Sequence, residues 1–314
     1  MQKKILISNI DLKNQTYKIS FDTDITFLAQ SIKEIGLINI PVLQKIENKY
    51  IIVSGFKRIK ALIFNNIKET RANIITEKQN LNYKSAVTAI SDNAFQRELH
   101  IMEQAKAVTI LSEFMDFKTI AEKSLLTFNF KINLNFAEKL FNLYSMPKNI
   151  HNLVTLGNLS MPCALALAKY DIKTINAFAF IFNKIKTGLN KQMEIITNIY
   201  EIAQRDNITP FKLLNSKDIK NIINSNENKD KSFKGNLLRK YLFKKRFPNL
   251  LKAKEEFKSN VKKLKLGSNL RLDAPLNFEA RDYTFSLKFA NIDELKKNIK
   301  KLELVTSSQP DYFP

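Results

Sequence analysis

The stretch Tyr50-Ile51-Ile52-Val53-Ser54-Gly55-Phe56-Lys57-Arg58-Ile59-Lys60-Ala61 reads as a strand, a glycine turn and the start of a helix. Lys57, Arg58 and Lys60 crowd about one turn at the end of a helix where the dipole disfavours positive charge. An anion reverses that penalty. Exposed N–H groups at the helix N-terminus donate to it, Gly55 lets the backbone approach closely, and Arg58 can hold two oxygens at once. The alternative is a surface helix with cations in its first turn, an unfavourable placement without a bound anion. The segment is therefore read as an anion site.

Working outward, Leu28, Ile32 and Ile35 have helical spacing, Gly36 stops that helix, and Pro41-Val42-Leu43 begins a strand. The first hundred residues read as a small α/β domain. Residues 82–224 are helical in pattern, with Met102, Ala105, Val108 and Leu111 on one stripe and Phe136, Leu140 and Leu143 on another. Pro147 and Pro162 sit where new helices begin. A helix-turn-helix and an ordinary bundle both fit this pattern. Residues 225–236 read as a linker, 237–265 as a basic helical stretch, 283–289 as a strand and 292–304 as a helix. The tail 306–314 reads as a frayed end, with Tyr312-Phe313 as a docking peptide in the competing view. The expected class is α+β, with domains over residues 1–97, 98–224 and 237–314.

The chain has 314 residues and a formal net charge of +21, with one cysteine and two histidines. No apolar run reaches the roughly 18 residues that span a bilayer, and the N-terminus turns polar too early for a signal peptide, so a cytoplasmic protein without membrane partners is expected. Cys163, His100 and His151 exclude an intrachain disulfide and a cysteine or histidine metal cage. Joint enrichment in Lys, Asn and Ile is what an AT-rich genome produces, but it does not localise charge. Residues 229–265 carry fourteen basic against three acidic residues, which points to a polyanion. Arg239, Lys240, Lys244, Lys245 and Arg246 are candidates to neutralise DNA phosphates, with Tyr241, Leu242, Phe243 and Phe247 as an apolar side. A basic helix on an anionic membrane is the competing reading.

The turn resembles the box of the ParB family, Gly-Glu-Arg-Arg-x-Arg after a strand, and the flanking order is similar too. Residues 28–36 resemble the family's leading helix, Gly36-Leu37-Ile38-Asn39 its Gly-x-x-Gln stretch, and Asp92-Asn93-Ala94-Phe95-Gln96-Arg97 its Glu-Asn-x-x-Arg motif. Met146-Pro147 and Gly157-Asn158-Leu159-Ser160 resemble the signatures that follow the family's helix-turn-helix. The likeness covers roughly residues 5–170.

The resemblance implies a nucleotide-gated DNA clamp: a dimer that binds CTP with Mg²⁺ and double-stranded DNA, associates with the nucleoid, and has a ParA-type ATPase as candidate partner. Carried over by position, Gly36, Ser54, Gly55, Lys57, Arg58, Lys60, Asn93 and Arg97 hold the nucleotide, and Asp92 and Asn93 approach the metal. An acid with an amide is a suitable oxygen pair for Mg²⁺. Asn39 stands for the Gln associated with hydrolysis. Thr119 to Lys123 resembles the first helix of the helix-turn-helix, with Ala121 at its packing position and Asn129 or Asn133 in place of the turn glycine. Leu134–Tyr144 is then the recognition helix, presenting Asn135, Glu138, Lys139 and Asn142 to base edges.

This chain departs from the pattern at Phe56, where the box has Glu, at Lys57 and Lys60, where it has Arg, and at Asn39. Lysine keeps the charge without the planar fork, so binding is better supported than turnover. Other classes remain in view. A sulfiredoxin needs a cysteine in the box, which is absent. A nuclease needs clustered carboxylates, and Asp92 stands alone. A regulator or adaptor that keeps the fold but has lost nucleotide switching is the second reading.

Overall fold

Ile51, Ile52, Val53 and Ser54 are all buried, so the strand that leads into the glycine turn lies inside the protein and not on an exposed edge. In the computed structural model this strand belongs to a five-stranded sheet. The structure describes residues 1–21, 24–76, 80–225, 230–279 and 282–308. The sheet comprises β1 (Gln2–Leu6), β2 (Ile10–Asp11), β3 (Val42–Ile46), β4 (Lys49–Ser54) and β5 (Glu69–Ile75), in the order β1-β5-β3-β4-β2. β1 pairs antiparallel with β5, β5 parallel with β3, β3 antiparallel with β4, and β4 parallel with β2. The antiparallel β3–β4 hairpin holds Val42 opposite Ser54, so the chain entering β3 lies beside the turn that leaves β4.

Two amphipathic helices cover this sheet. α1 (Thr26–Ile35) buries Ala29 and Ile32 and ends at Gly36, whose φ of 80° only glycine adopts without strain. α2 (Phe56–Phe64) buries Ile59, Ala61 and Leu62. These residues join Ile5, Leu43, Ile52 and Ile74 in one apolar cluster, against which Phe56 and Leu37 pack. α3 (Leu81–Ala94) carries Asp92 and Asn93 in its last turn.

Helices follow in succession: α4 (Ile101–Ser112), α5 (Phe117–Glu122), α6 (Ser124–Phe128), α7 (Leu134–Tyr144), α8 (Lys148–Thr155), α9 (Met161–Ala166), α10 (Ile172–Lys184), α11 (Leu189–Arg205), α12 (Pro210–Leu214) and α13 (Lys217–Asn224). Their starts are written in side chains. Asp116, Asn133 and Asp171 each accept a backbone N–H from the first turn of α5, α7 and α10, at 2.7, 2.8 and 2.7 Å. Pro147 precedes α8 and Pro162 lies in the first turn of α9.

The chain divides into two compact units, Met1–Met193 and Glu194–Pro314. In the second, the expected linker 225–236 is corrected by the structure. Asp230 accepts the N–H groups of Ser232 and Phe233, which starts α14 (Lys231–Arg246), so 231–236 are helical; 226–229 lie outside the described residues. The basic stretch 237–265 is two helices, since Pro248 begins α15 (Pro248–Lys263). The expected strand 283–289 is shorter, β7 (Thr284–Leu287), and pairs antiparallel with β6 (Leu270–Asp273). Leu264, Leu266, Leu270 and Leu272 form a small core there with Phe257, Val261, Phe285 and Val305. The last helix, α16 (Ile292–Ser308), runs past the expected end at residue 304, and Tyr312-Phe313 lie outside the described residues. The protein is thus mixed α/β and mostly helical, with small sheets. Among the described residues no helix is long and apolar enough to cross a membrane.

Candidate nucleotide cleft and DNA-facing helices

Gly55 precedes α2 with φ of 95°, and no side chain caps the helix that follows. No acidic residue lies in the first turn of α2, so its N-terminal dipole faces outward uncompensated by its own helix. The glycine also makes room. A Cβ at this position would lie 3.0 Å from both Arg58 Nε and Pro41 Cβ.

The turn forms one wall of a cleft of about 380 Å³. Ser54, Gly55, Lys57 and Arg58 line it from the β4–α2 turn, Gly36 and Asn39 from the segment after α1, and Asp92, Asn93 and Arg97 from the end of α3. Three stretches that are distant in sequence thus meet in one concavity. Lys60 does not line it, because it falls on the exposed side of α2. Its charge is still felt nearby. Burial lowers the Lys18 ammonium from its ordinary value and Lys60 adds to the shift, while burial and then Lys18 lower Lys106 on α4.

Arg58, Asp92 and Arg97 are already paired. Arg58 Nη2 donates to Asp92 Oδ2 at 3.0 Å, and Arg58 Nη1 donates to the carbonyls of Asn39 and Ile40 at 3.2 and 3.1 Å. The Ser54 hydroxyl donates to the same Asp92 oxygen, and Gln96 Nε2 donates to Asp92 Oδ1 at 2.9 Å. Asn93 Nδ2 donates to Ala89 O at 2.8 Å, which turns its amide oxygen the other way. Arg97 grips Glu103 with both Nη atoms, at 2.6 and 2.7 Å, and Glu103 also accepts the His100 N–H at the start of α4.

Among the described residues no group of three or more His, Cys, Asp or Glu side chains is placed to hold a metal ion. One carboxylate and one amide oxygen nevertheless suit Mg²⁺, which takes most of its ligands from water and from the phosphates it accompanies. Asp92 and Asn93 fit that role and no larger one.

Three residues of the site, Lys18, Gln96 and Glu103, are not marked by the sequence motifs. Gln96 falls between Asp92 and Arg97, at a position the family pattern leaves open. Lys18 reaches the site through tertiary folding, whereas Glu103 meets Arg97 locally, as the acid of the capping box that begins α4.

In the helical part, α7 spans Leu134–Tyr144, as expected from the sequence, and Asn135, Glu138, Lys139 and Asn142 are all exposed on it. Ala137, Leu140 and Leu143 form its buried side. Asn129, after α6, has φ of 61°, the left-handed turn expected there, whereas Asn133 caps α7 instead. Ile120 fills the interior beside α7 at 1% exposure, and Ala121 is only half-buried. Lys139 and Asn142 also border a shallow groove with Ile172 and Ile175 of α10. His151 stacks on Tyr144 at 5.1 Å, and burial lowers its imidazole from the usual value.

In the second unit, Arg239 Nη2 pairs with Glu194 at 2.6 Å, and Arg246 pairs with Glu201 and with Asn198 Oδ1, the latter at 2.7 Å. Lys240 and Lys244 are exposed and Lys245 half-buried. Leu242 is buried and Tyr241 donates to Asp218 at 3.0 Å, so the apolar side expected of this helix serves the protein's own packing.

A five-stranded α/β layer that opens a cleft at a glycine turn, followed by capped short helices, is the setting in which the chain is similar, as a divergent relative, to the ParB family. The likeness that carries this is to the Probable chromosome-partitioning protein ParB of Campylobacter jejuni, 26% identical over 276 residues and covering 88% of this chain and 79% of that protein. No protein-family model matches the chain. Among solved structures, a C-terminally truncated ParB from Caulobacter crescentus complexed with CTP-gamma-S is 18% identical, covers 58% of this chain and 99% of that one, and has a TM-score of 0.27. The truncated Caulobacter crescentus ParB complexed to the centromeric parS site gives 17%, 58%, 91% and 0.35 for the same quantities. A Pnob8-like ParB-N domain gives 15%, 72%, 94% and 0.36.

Proposed function

We propose that this chain is a ParB-like partitioning protein whose cleft binds CTP and whose helical part binds double-stranded DNA, the nucleotide gating a homodimeric clamp. The observation that carries the reading is the meeting of residues 36–39, 54–58 and 92–97 in one cleft at an uncapped helix N-terminus. Gly55 admits phosphate oxygens to the backbone of α2, and Lys57, Arg58 and Arg97 supply positive charge from two sides. Ser54 completes the wall formed by the turn, Gly36 shapes the wall after α1, and Lys60 adds charge from outside the cleft. Asp92 and Asn93 would hold Mg²⁺, which would neutralise phosphate charge. Asn39 is the candidate for orienting an attacking water, with hydrolysis secondary to binding. The choice of CTP follows from the likeness of these motifs to the ParB pattern, and partitioning from the Campylobacter jejuni relative.

The division of labour runs along the chain: nucleotide over residues 1–97, DNA over 98–224, and a C-terminal unit from 237 that dimerises and adds contacts to the DNA backbone. α5 and α7 serve as a helix-turn-helix, with Asn135, Glu138, Lys139 and Asn142 toward the bases. Such a protein works on the nucleoid, with a ParA-type ATPase as partner. Calorimetric titration with CTP, ATP, GTP and UTP in Mg²⁺ tests the reading. Saturable heat with CTP supports it, and no heat with any nucleotide overturns it. Phe56 favours a second reading, a regulator without switching, because it packs against the core where the box has an acid. CTP-dependent crosslinking between the N-terminal domains of two copies separates the clamp from that regulator.

A further inference from the structure

Asp92 makes the contacts that a phosphate oxygen makes. Its Oδ2 receives the Arg58 guanidinium at 3.0 Å and the Ser54 hydroxyl, at the mouth of the uncapped helix α2. Its Oδ1 receives Gln96 at 2.9 Å. The side chain is 31% exposed and stands in the last turn of α3, where one torsion can move it clear. Glu103, the other carboxylate, differs. It is 4% exposed and shared between Arg97 and the His100 N–H that begins α4, so it is fixed in place and positions Arg97.

Building on the phosphate-binding reading of the cleft, we infer that Asp92 is its resident anion and that a polyphosphate enters by exchanging with it on Arg58 and Ser54. The exchange has a charge consequence. Once displaced, the carboxylate has lost Arg58 and sits beside the incoming negative charge, a position that costs energy until a cation joins it. A divalent cation arriving with the polyphosphate supplies that charge. The metal requirement then belongs to Asp92 as much as to the ligand.

The experiment is calorimetric titration of the full chain with sodium tripolyphosphate, in EDTA and in Mg²⁺, for the wild type, Asp92→Asn and Gln96→Ala. In EDTA, Asp92→Asn binds tripolyphosphate about tenfold more tightly than the wild type, the scale of one charge-assisted hydrogen bond no longer competed for. Gln96→Ala, which frees Oδ1 but leaves the charge, gains less in the same direction. In Mg²⁺ the gain of Asp92→Asn shrinks or reverses, because the metal has lost its carboxylate. Thermal unfolding establishes that each variant is folded. Wild-type binding with no metal-free gain in either variant overturns the exchange and leaves the phosphate site standing. Failure of every form to bind tripolyphosphate or CTP overturns the phosphate reading, and the exchange with it.

Discussion

The cleft of the first unit and the basic helices of the second differ in how they arrange their cations in space. The cleft collects Lys18, Lys57, Arg58 and Arg97 from separate segments around one concavity, with a helix N-terminus aimed into it. Residues 229–265 carry far more charge in one run, spread along helices, and there Arg239 and Arg246 are tied to Glu194 and Glu201 as Arg58 and Arg97 are tied to Asp92 and Glu103 in the cleft. Charge density along a sequence therefore measures neither availability nor focus. A few cations around a concave, partly desolvated site act more strongly on an anion than many cations on a convex helix, where solvent and salt screen them. Substitutions on each side in turn put this contrast at risk.

The largest effect is expected from Arg58→Ala. This guanidinium donates to Asp92, to Ser54 and to the carbonyls of Asn39 and Ile40, and its charge answers that of Asp92. If the cleft binds CTP as proposed, loss of the guanidinium removes a charge-assisted contact to the phosphates and weakens CTP binding by about 100-fold. It also strands a carboxylate and two carbonyls, which costs about 1–3 kcal/mol of stability. Calorimetry and thermal unfolding read the two effects separately. CTP affinity within a few-fold of the wild type would mean that the cleft does not focus charge as described.

The central place of Arg58 is legible in the sequence because a strand, a glycine and three cations fall in a fixed local order. α1 is legible for the same reason, with Gly36 at its end, whereas the bounds of α7 follow from the resemblance to the family's helix-turn-helix, and its cap Asn133 is a finding of the structure. What is not legible depends on partners far along the chain. β1 and β5 are short and largely polar on one side, and their pairing joins residues nearly seventy positions apart. The bond from Arg239 to Glu194 spans 45 residues and Arg97 to Glu103 depends on how α4 is capped, so sequence shows the cations and not their engagement. In the stretch 231–236, Lys, Asn, Ser and Gly suggest a loop, while one capping aspartate, Asp230, is enough to make it helical.

A smaller effect is expected from Gly55→Ala. The left-handed backbone costs a residue with a Cβ about 1–2 kcal/mol, and the added carbon meets Pro41 Cβ and Arg58 Nε at 3.0 Å. Pro41 is held in the chain, so Arg58 yields, and CTP affinity falls by about tenfold along with the melting temperature. A variant that melts lower but binds CTP normally would separate the turn's structural part from its part in the site.

The smallest effects belong to the second unit, where they discriminate between exposed and engaged cations. Each lysine that contacts a phosphate releases counterions, so losing it reduces the slope of log affinity against log salt by about 0.9. Lys240 and Lys244 are exposed, and Lys240→Gln with Lys244→Gln is expected to lower the slope for duplex DNA by about 1.8. Arg239→Gln with Arg246→Gln removes the same formal charge from the same helix but also releases Glu194 and Glu201. The slope then changes much less, while the unit loses about 0.2–1 kcal/mol for each exposed pair broken. Lys245 is an intermediate case: Arg205 and then Lys245 hold the Asp206 carboxyl below its ordinary value, so part of that lysine's charge is already answered. Salt titrations of DNA binding for the two double variants decide the matter. Equal slope changes would show that the arginines leave their carboxylates on DNA, and the contrast between paired and exposed charge in this helix would fail.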